Sequence, residues 1–135
     1  MAISILLTTN KTITKHNEHR SFYFEDSGAD YWYLWPTMIK EINNKTGELI
    51  DLYQDAEFSG SHLTIFKTTV AKHLAVINSK KEKSWEVYIG TQMHPVKQDI
   101  YKTLVKKEIA EKLEKLLQMI DLAIKSEEKI ICIGD

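Results

Sequence analysis

From Asp99 to Ser126 the apolar residues Ile100, Leu104, Ile109, Leu113, Leu116, Leu117, Ile120 and Ile124 return to one broad face at helical spacing, uninterrupted by proline or glycine. Glu108 and Lys112, and likewise Glu111 and Lys115, stand four apart with the acid leading, the orientation that favours solvent-side pairs. The pattern predicts one long helix over Asp99–Ser126, about 40 Å from end to end. Such a helix needs an apolar surface to lie on. Ser84–Gly90, where Trp85, Val87 and Ile89 alternate with Glu86 and Tyr88, and Lys129–Ile133 read as strands on either side of it.

The rest of the chain supplies more of both elements. Ile3–Leu7 and Ser21–Glu25 read as strands, separated by a polar loop over Thr8–Arg20, with a turn at Asp26-Ser27-Gly28. Pro36 suits the first turn of a helix and breaks its interior, so a short helix is expected from Pro36 through Met38, Ile39 and Ile42, ending at Asn43-Asn44. Tyr31–Trp35 would then form its approach. Leu49, Ile50 and Leu52 suggest a short extended piece. A helix over 61–78, capped by Ser59 or Ser61, carries Leu63, Phe66, Val70, Leu74 and Ile77 at helical spacing. Gly90 and Pro95 bracket a loop. The expectation is one α+β domain over residues 1–135, with three helices packed on a small sheet of the N-terminal strands and the two C-terminal ones.

Composition narrows the function. A chain of 135 residues can bury a core without staples. Its net charge of −1 and its one arginine, Arg20, argue against direct nucleic-acid binding, which rests on many cations and on arginine forks. The one cysteine, Cys132, cannot form an internal disulfide and sits in an apolar run, where a thiol behaves as a small buried hydrophobe. The N-terminus has no basic leader region, and no apolar stretch approaches the roughly 20 residues of a membrane helix. The chain reads as cytoplasmic, with no membrane partner.

The charge is unevenly laid out. Residues 22–61 hold eight acids against Lys40 and Lys45, a net of −6, whereas residues 62–135 hold 13 lysines against 10 acids, a net of +3. The acids culminate in Gly47–Ser61, where Glu48, Asp51, Asp55 and Glu57 meet no Lys or Arg, downstream of the aromatic cluster Tyr31-Trp32-Tyr33-Leu34-Trp35. An acidic face of this kind steers a basic partner at long range. Aromatics beside it would add cation–π contact, although about half of that cluster is expected in the core.

Catalytic readings find little footing. Asp51, Asp55 and Glu57 have oxygen-ligand spacing for Mg²⁺ or Ca²⁺, and Asp51 with Asp55 could serve a metal-assisted hydrolase, but no EF-hand run is present. His16, His19, His62, His73 and His94 show no recognised zinc spacing with a cysteine or acid. No nucleophile elbow and no phosphate-cradling glycine loop occurs. Neither enzymatic activity nor a cofactor is expected. A non-catalytic adaptor, meeting its partner through the Asp99–Ser126 helix, is a further alternative.

Taken together, Gly47, Ile50-Asp51-Leu52-Tyr53-Gln54-Asp55, Phe58, Trp85–Gly90, the Lys/Glu-rich helix and Ile131-Cys132-Ile133-Gly134-Asp135 give a chain that resembles bacterial immunity proteins of polymorphic and contact-dependent growth inhibition toxin systems. The Asp-x-Tyr-x-Asp segment matches Asp51, Tyr53 and Asp55, and the Gly-Asp pair matches Gly134 and Asp135. The resemblance covers the last two thirds of the chain. It implies a cytoplasmic inhibitor that binds one cognate toxin domain, often a basic nuclease. The expected contact residues are Asp51, Tyr53, Asp55 and Glu57, with Trp32 and Trp35 as aromatic anchors.

Overall fold

A computed structural model describes residues 2–8, 21–25, 28–51 and 53–134, with side chains described from residue 28 onward and at Phe24. The expected loop with His16 and His19, the Asp26-Ser27 turn residues, Leu52 and Asp135 lie outside the described residues. The fold is α+β. In chain order it comprises β1 (Ala2–Thr8), β2 (Ser21–Glu25), α1 (Ala29–Leu34), a π-helical turn (Trp35–Ile39), α2 (Lys40–Thr46), β3 (Ala56–Phe58), α3 (Ser61–Asn78), β4 (Ser84–Gln92), β5 (Gln98–Val105), α4 (Lys106–Ser126) and β6 (Lys129–Gly134).

The strands form two sheets where one was expected. The larger has the order β2-β1-β6-β3, and each neighbouring pair is antiparallel. Cys132 in β6 faces Ile5 of β1 on one side and Ala56 of β3 on the other. β3 falls inside the acidic stretch read as loop; with only Ala56 and Phe58 buried around Glu57, its three residues are too short to betray a strand by alternation. β4 does not join this sheet. It pairs with β5 in a separate two-stranded ribbon, offset by a bulge between Tyr88 and Gly90.

That ribbon corrects the longest expected helix. Residues 98–105 are strand, and helix begins only at Lys106. Ile100 and Leu104 stand four apart and fit either period, but Tyr101, Thr103 and Val105 favour extended backbone. Among the described residues β4 pairs with no other strand, and a hairpin across residues 93–97 satisfies backbone groups along one of its edges. Within α4 itself the expected face holds: Ile109, Leu113, Leu116 and Ile120 are buried.

The first helix also departs from expectation. It starts at Ala29, not Pro36, so Tyr31–Trp35 are helical. Pro36 is accommodated inside the π-helical turn, where the N–H of Lys40 reaches the carbonyl of Trp35 five residues back. The wider turn absorbs a residue that donates no hydrogen bond. α2 ends on Gly47 in the left-handed conformation (φ 77°), a position open to glycine at no steric cost. α3 matches its expected span and buries Leu63, Phe66, Val70, Leu74 and Ile77, but its N-cap is Gly60 and neither Ser59 nor Ser61 caps it by a side-chain hydrogen bond.

α3 and α4 pack as antiparallel neighbours over the larger sheet. Lys67 near the start of α3 meets Asp121 near the end of α4 at 2.5 Å, and Lys106 at the start of α4 donates to the Lys80 carbonyl just past α3 at 2.6 Å. α1 is fixed to α4 by Asp30 and Lys112, 2.5 Å apart. α2 is fixed to α3 through Glu41, which lies 2.7 Å from Lys45, 2.9 Å from Lys72 and 3.1 Å from His73 Nε2. Those donors, Lys45 foremost, hold the Glu41 carboxyl well below its ordinary value, at about 2.

The Glu41 cluster therefore gives a pH-dependent contribution. A carboxylate with a depressed folded pKa adds stability that is complete above its ordinary 4.5 and is lost as pH falls toward about 2. Chemical denaturation of the protein and its Glu41→Gln variant should show a stability gap at pH 7 that closes between those two values. A gap of the same size at both ends of the range would contradict the assignment.

A braced acidic turn and a separate aromatic groove

The acidic stretch is anchored before it is displayed. At its start, Ile50 is buried and Asn43 of α2 grips its backbone twice: Asn43 Oδ1 accepts from the Ile50 N–H at 2.8 Å, and Asn43 Nδ2 donates to the Ile50 carbonyl at 3.2 Å. Thr46, also buried, donates to the Ile42 carbonyl at 2.8 Å and accepts from the Glu48 N–H at 3.2 Å. At its end, Ala56 and Phe58 enter the core, where Phe58 meets Phe66 edge-on with centroids 4.7 Å apart.

Between these anchors the chain makes a tight turn. Asp51 Oδ1 accepts the Tyr53 N–H at 2.8 Å, the side-chain mimic of a backbone turn, and Asp51 bridges to Gln54. β6 closes against this turn. The Gly134 N–H is shared between the Gln54 carbonyl and Asp55 Oδ1, both at 3.2 Å. A Cβ on residue 134 would overlap the Gln54 backbone nitrogen and lie 2.6 Å from the carbonyl oxygens of Asp51 and Gln54. Glycine at that position is a steric requirement.

The expected contact residues thus divide by role. Tyr53 stands at the apex with 70% of its surface exposed, and Asp55 is exposed beside it. Asp51 is half-buried and holds the turn. Glu57 is half-buried in β3 and pairs with Lys129 of β6 at 2.7 Å. Asp55 and Glu57 line a concave space of about 590 Å³ together with Glu48, Ser59, Ser61 and His62. Among the described residues no lysine or arginine lines it, and Lys129 reaches Glu57 from β6. Sequence reading placed Glu48 in the acidic stretch but not in the contact set, and it missed Asn43 as a brace. The signal for Asn43 was its place at a helix end ahead of Gly47, a context in which asparagine bonds to backbone.

Trp32 and Trp35 lie elsewhere. Both are half-buried and pack on Tyr31, Trp32 edge-on at 5.3 Å and Trp35 stacked at 5.9 Å. Their outer edges, with Tyr33, Pro36, Trp85 and Tyr88, line a groove of about 500 Å³ that shares no residue with the acidic cavity. Lys80 lies over Trp85, 4.9 Å from its centroid, and the buried Trp85 Nε1–H has no acceptor among the described residues. The expected aromatic-plus-acidic patch is two distinct surfaces.

Other chemistry is sparse among the described residues. No three His, Cys, Asp or Glu side chains converge as metal ligands would. Cys132 is buried, and burial pushes its thiol far above the ordinary range, which leaves it unreactive. No helix among the described residues is long and apolar enough to cross a membrane. Comparisons with protein-family models, curated proteins and solved structures find no match.

Gly134→Ala should destabilise the protein by about 1–3 kcal/mol, the usual range for forcing an extra methyl into a filled site. It should also loosen the Asp51–Asp55 turn. Denaturant melts and amide chemical shifts would check both effects. Unchanged stability would show that β6 and the turn do not meet this closely.

Proposed function

We propose that this protein is a cytoplasmic, non-catalytic immunity protein that binds a basic toxin domain, a nuclease in the leading case, through the turn at Tyr53 and its acidic cavity. The observation that carries the reading is an exposed tyrosine on a turn held from both sides, beside a concavity lined by Glu48, Asp55 and Glu57, of which Glu57 is paired with Lys129. A preorganised aromatic apex loses little conformational entropy on binding, and tyrosine is enriched among residues that dominate binding energy. The carboxylates of Glu48 and Asp55 supply the potential that draws in a surface evolved to meet phosphates, accelerating association. The resemblance of Asp51, Tyr53, Asp55 and Gly134 to the immunity-protein pattern supports the same reading. In it, Asp51 and Gly134 shape the turn, whereas Tyr53, Asp55 and Glu48 face the partner.

The experiment is co-expression with the product of the adjacent reading frame in the source genome, followed by purification of the complex. A one-to-one complex with a basic toxin domain is expected. Tyr53→Ala should weaken it about thirtyfold or more, the range of a dominant contact. Asp55→Lys should slow association, with the loss growing as salt is lowered. Tyr53→Ala should keep the wild-type melting behaviour because its side chain is exposed, whereas Asp55→Lys gives up the hydrogen bond from the Gly134 N–H and should cost about 1 kcal/mol of stability. Full affinity and unchanged association in both variants would remove the turn from the binding surface.

A further inference from the structure

The ribbon of β4 and β5 carries five of the ten large apolar side chains exposed among the described residues: Tyr88, Met93, Val96, Ile100 and Tyr101. The ribbon packs on α1 and α4 and buries Val87 and Leu104, yet apolar exposure remains concentrated on it, and such a concentration on one element marks a contact surface. Its two ends are unlike. At the tip, Met93 and Val96 are 59% and 70% exposed, and Lys97 follows directly. At the base lies the groove of about 500 Å³ formed by Trp32, Trp35, Pro36, Trp85 and Tyr88, with the carboxylate of Glu86 among its lining residues.

We propose that the occupant of this groove is the ribbon tip of a second copy of the same chain. From Trp85 to Gln92 the strand spans roughly 23 Å. Two ribbons laid antiparallel about a two-fold axis place each tip at the base of the other. Met93 and Val96 then fill the aromatic groove, and Lys97 beside them meets Glu86 of the mate. Over Ser84–Val105 the acids Glu86 and Asp99 balance Lys97 and Lys102, so the two ribbons meet without net repulsion. The contact is isologous and closes on itself, which limits assembly to a dimer. It shares no lining residue with the acidic cavity and does not rest on the immunity reading.

Sedimentation velocity of the full chain across micromolar concentrations tests it. A species of twice the 15.7 kDa chain mass is expected. Val96→Glu should weaken self-association by about tenfold or more, because an unpaired carboxylate resists burial among aromatics. Lys97→Glu should weaken it as well, and the double variant Lys97→Glu/Glu86→Lys should restore it. These side chains are exposed, so circular dichroism should be unchanged throughout. A wild-type chain that stays monomeric, or a dimer indifferent to Val96→Glu, would overturn the proposal.

Discussion

The structure depends on where β6 goes. It enters the larger sheet as an inner strand, with β1 on one side and β3 on the other, so one short segment ties residues far apart in the chain. Ile130, Ile131 and Cys132 are buried there. Beyond them, Gly134 comes so close to the Asp51–Gln54 backbone that no side chain fits between. Without that approach β3 would lose its hydrogen-bonded neighbour and the acidic turn one of its two braces. The surface proposed to meet a partner is thus a consequence of a long-range strand pairing and of one absent methyl group.

Much of the scaffold was legible because it is periodic. α3 declared itself through five apolar residues that are all buried, and β4 through the alternation of Trp85 and Val87 with Glu86 and Tyr88. What escaped was decided by tertiary pairing. Ile100 and Leu104 satisfy a helical spacing as well as a strand spacing, and only the need of β4 for a neighbour settles the matter. Pro36 was given its usual place at a helix start, yet a π-helical turn carries it mid-rod. β3 has three residues and borrows its identity from β6.

The candidate site shows a similar division. Charge counting located the acidic segment, since carboxylates without cations are visible in composition alone. It did not separate the carboxylates by role: Asp51 holds a turn, Glu57 pairs with Lys129 across the sheet, and Asp55 stays exposed. Nor did proximity in sequence carry Trp32 and Trp35 to Tyr53. The helix and the ribbon draw those rings into a different groove. Bracing explains why the arrangement suits recognition: Asn43 and Gly134 fix the turn in the free protein, so its order is present before a partner arrives.

The measurement that bears most directly on this account is native-state amide hydrogen exchange of the free protein. A turn clamped between α2 and β6 predicts slow exchange at Ile50, Tyr53 and Gly134, whose N–H groups make the bracing hydrogen bonds, even though Tyr53 itself is exposed. Exchange at unfolded-chain rates at those three amides, with β6 residues such as Ile131 and Cys132 still protected, would contradict it and leave the acidic segment an unbraced loop.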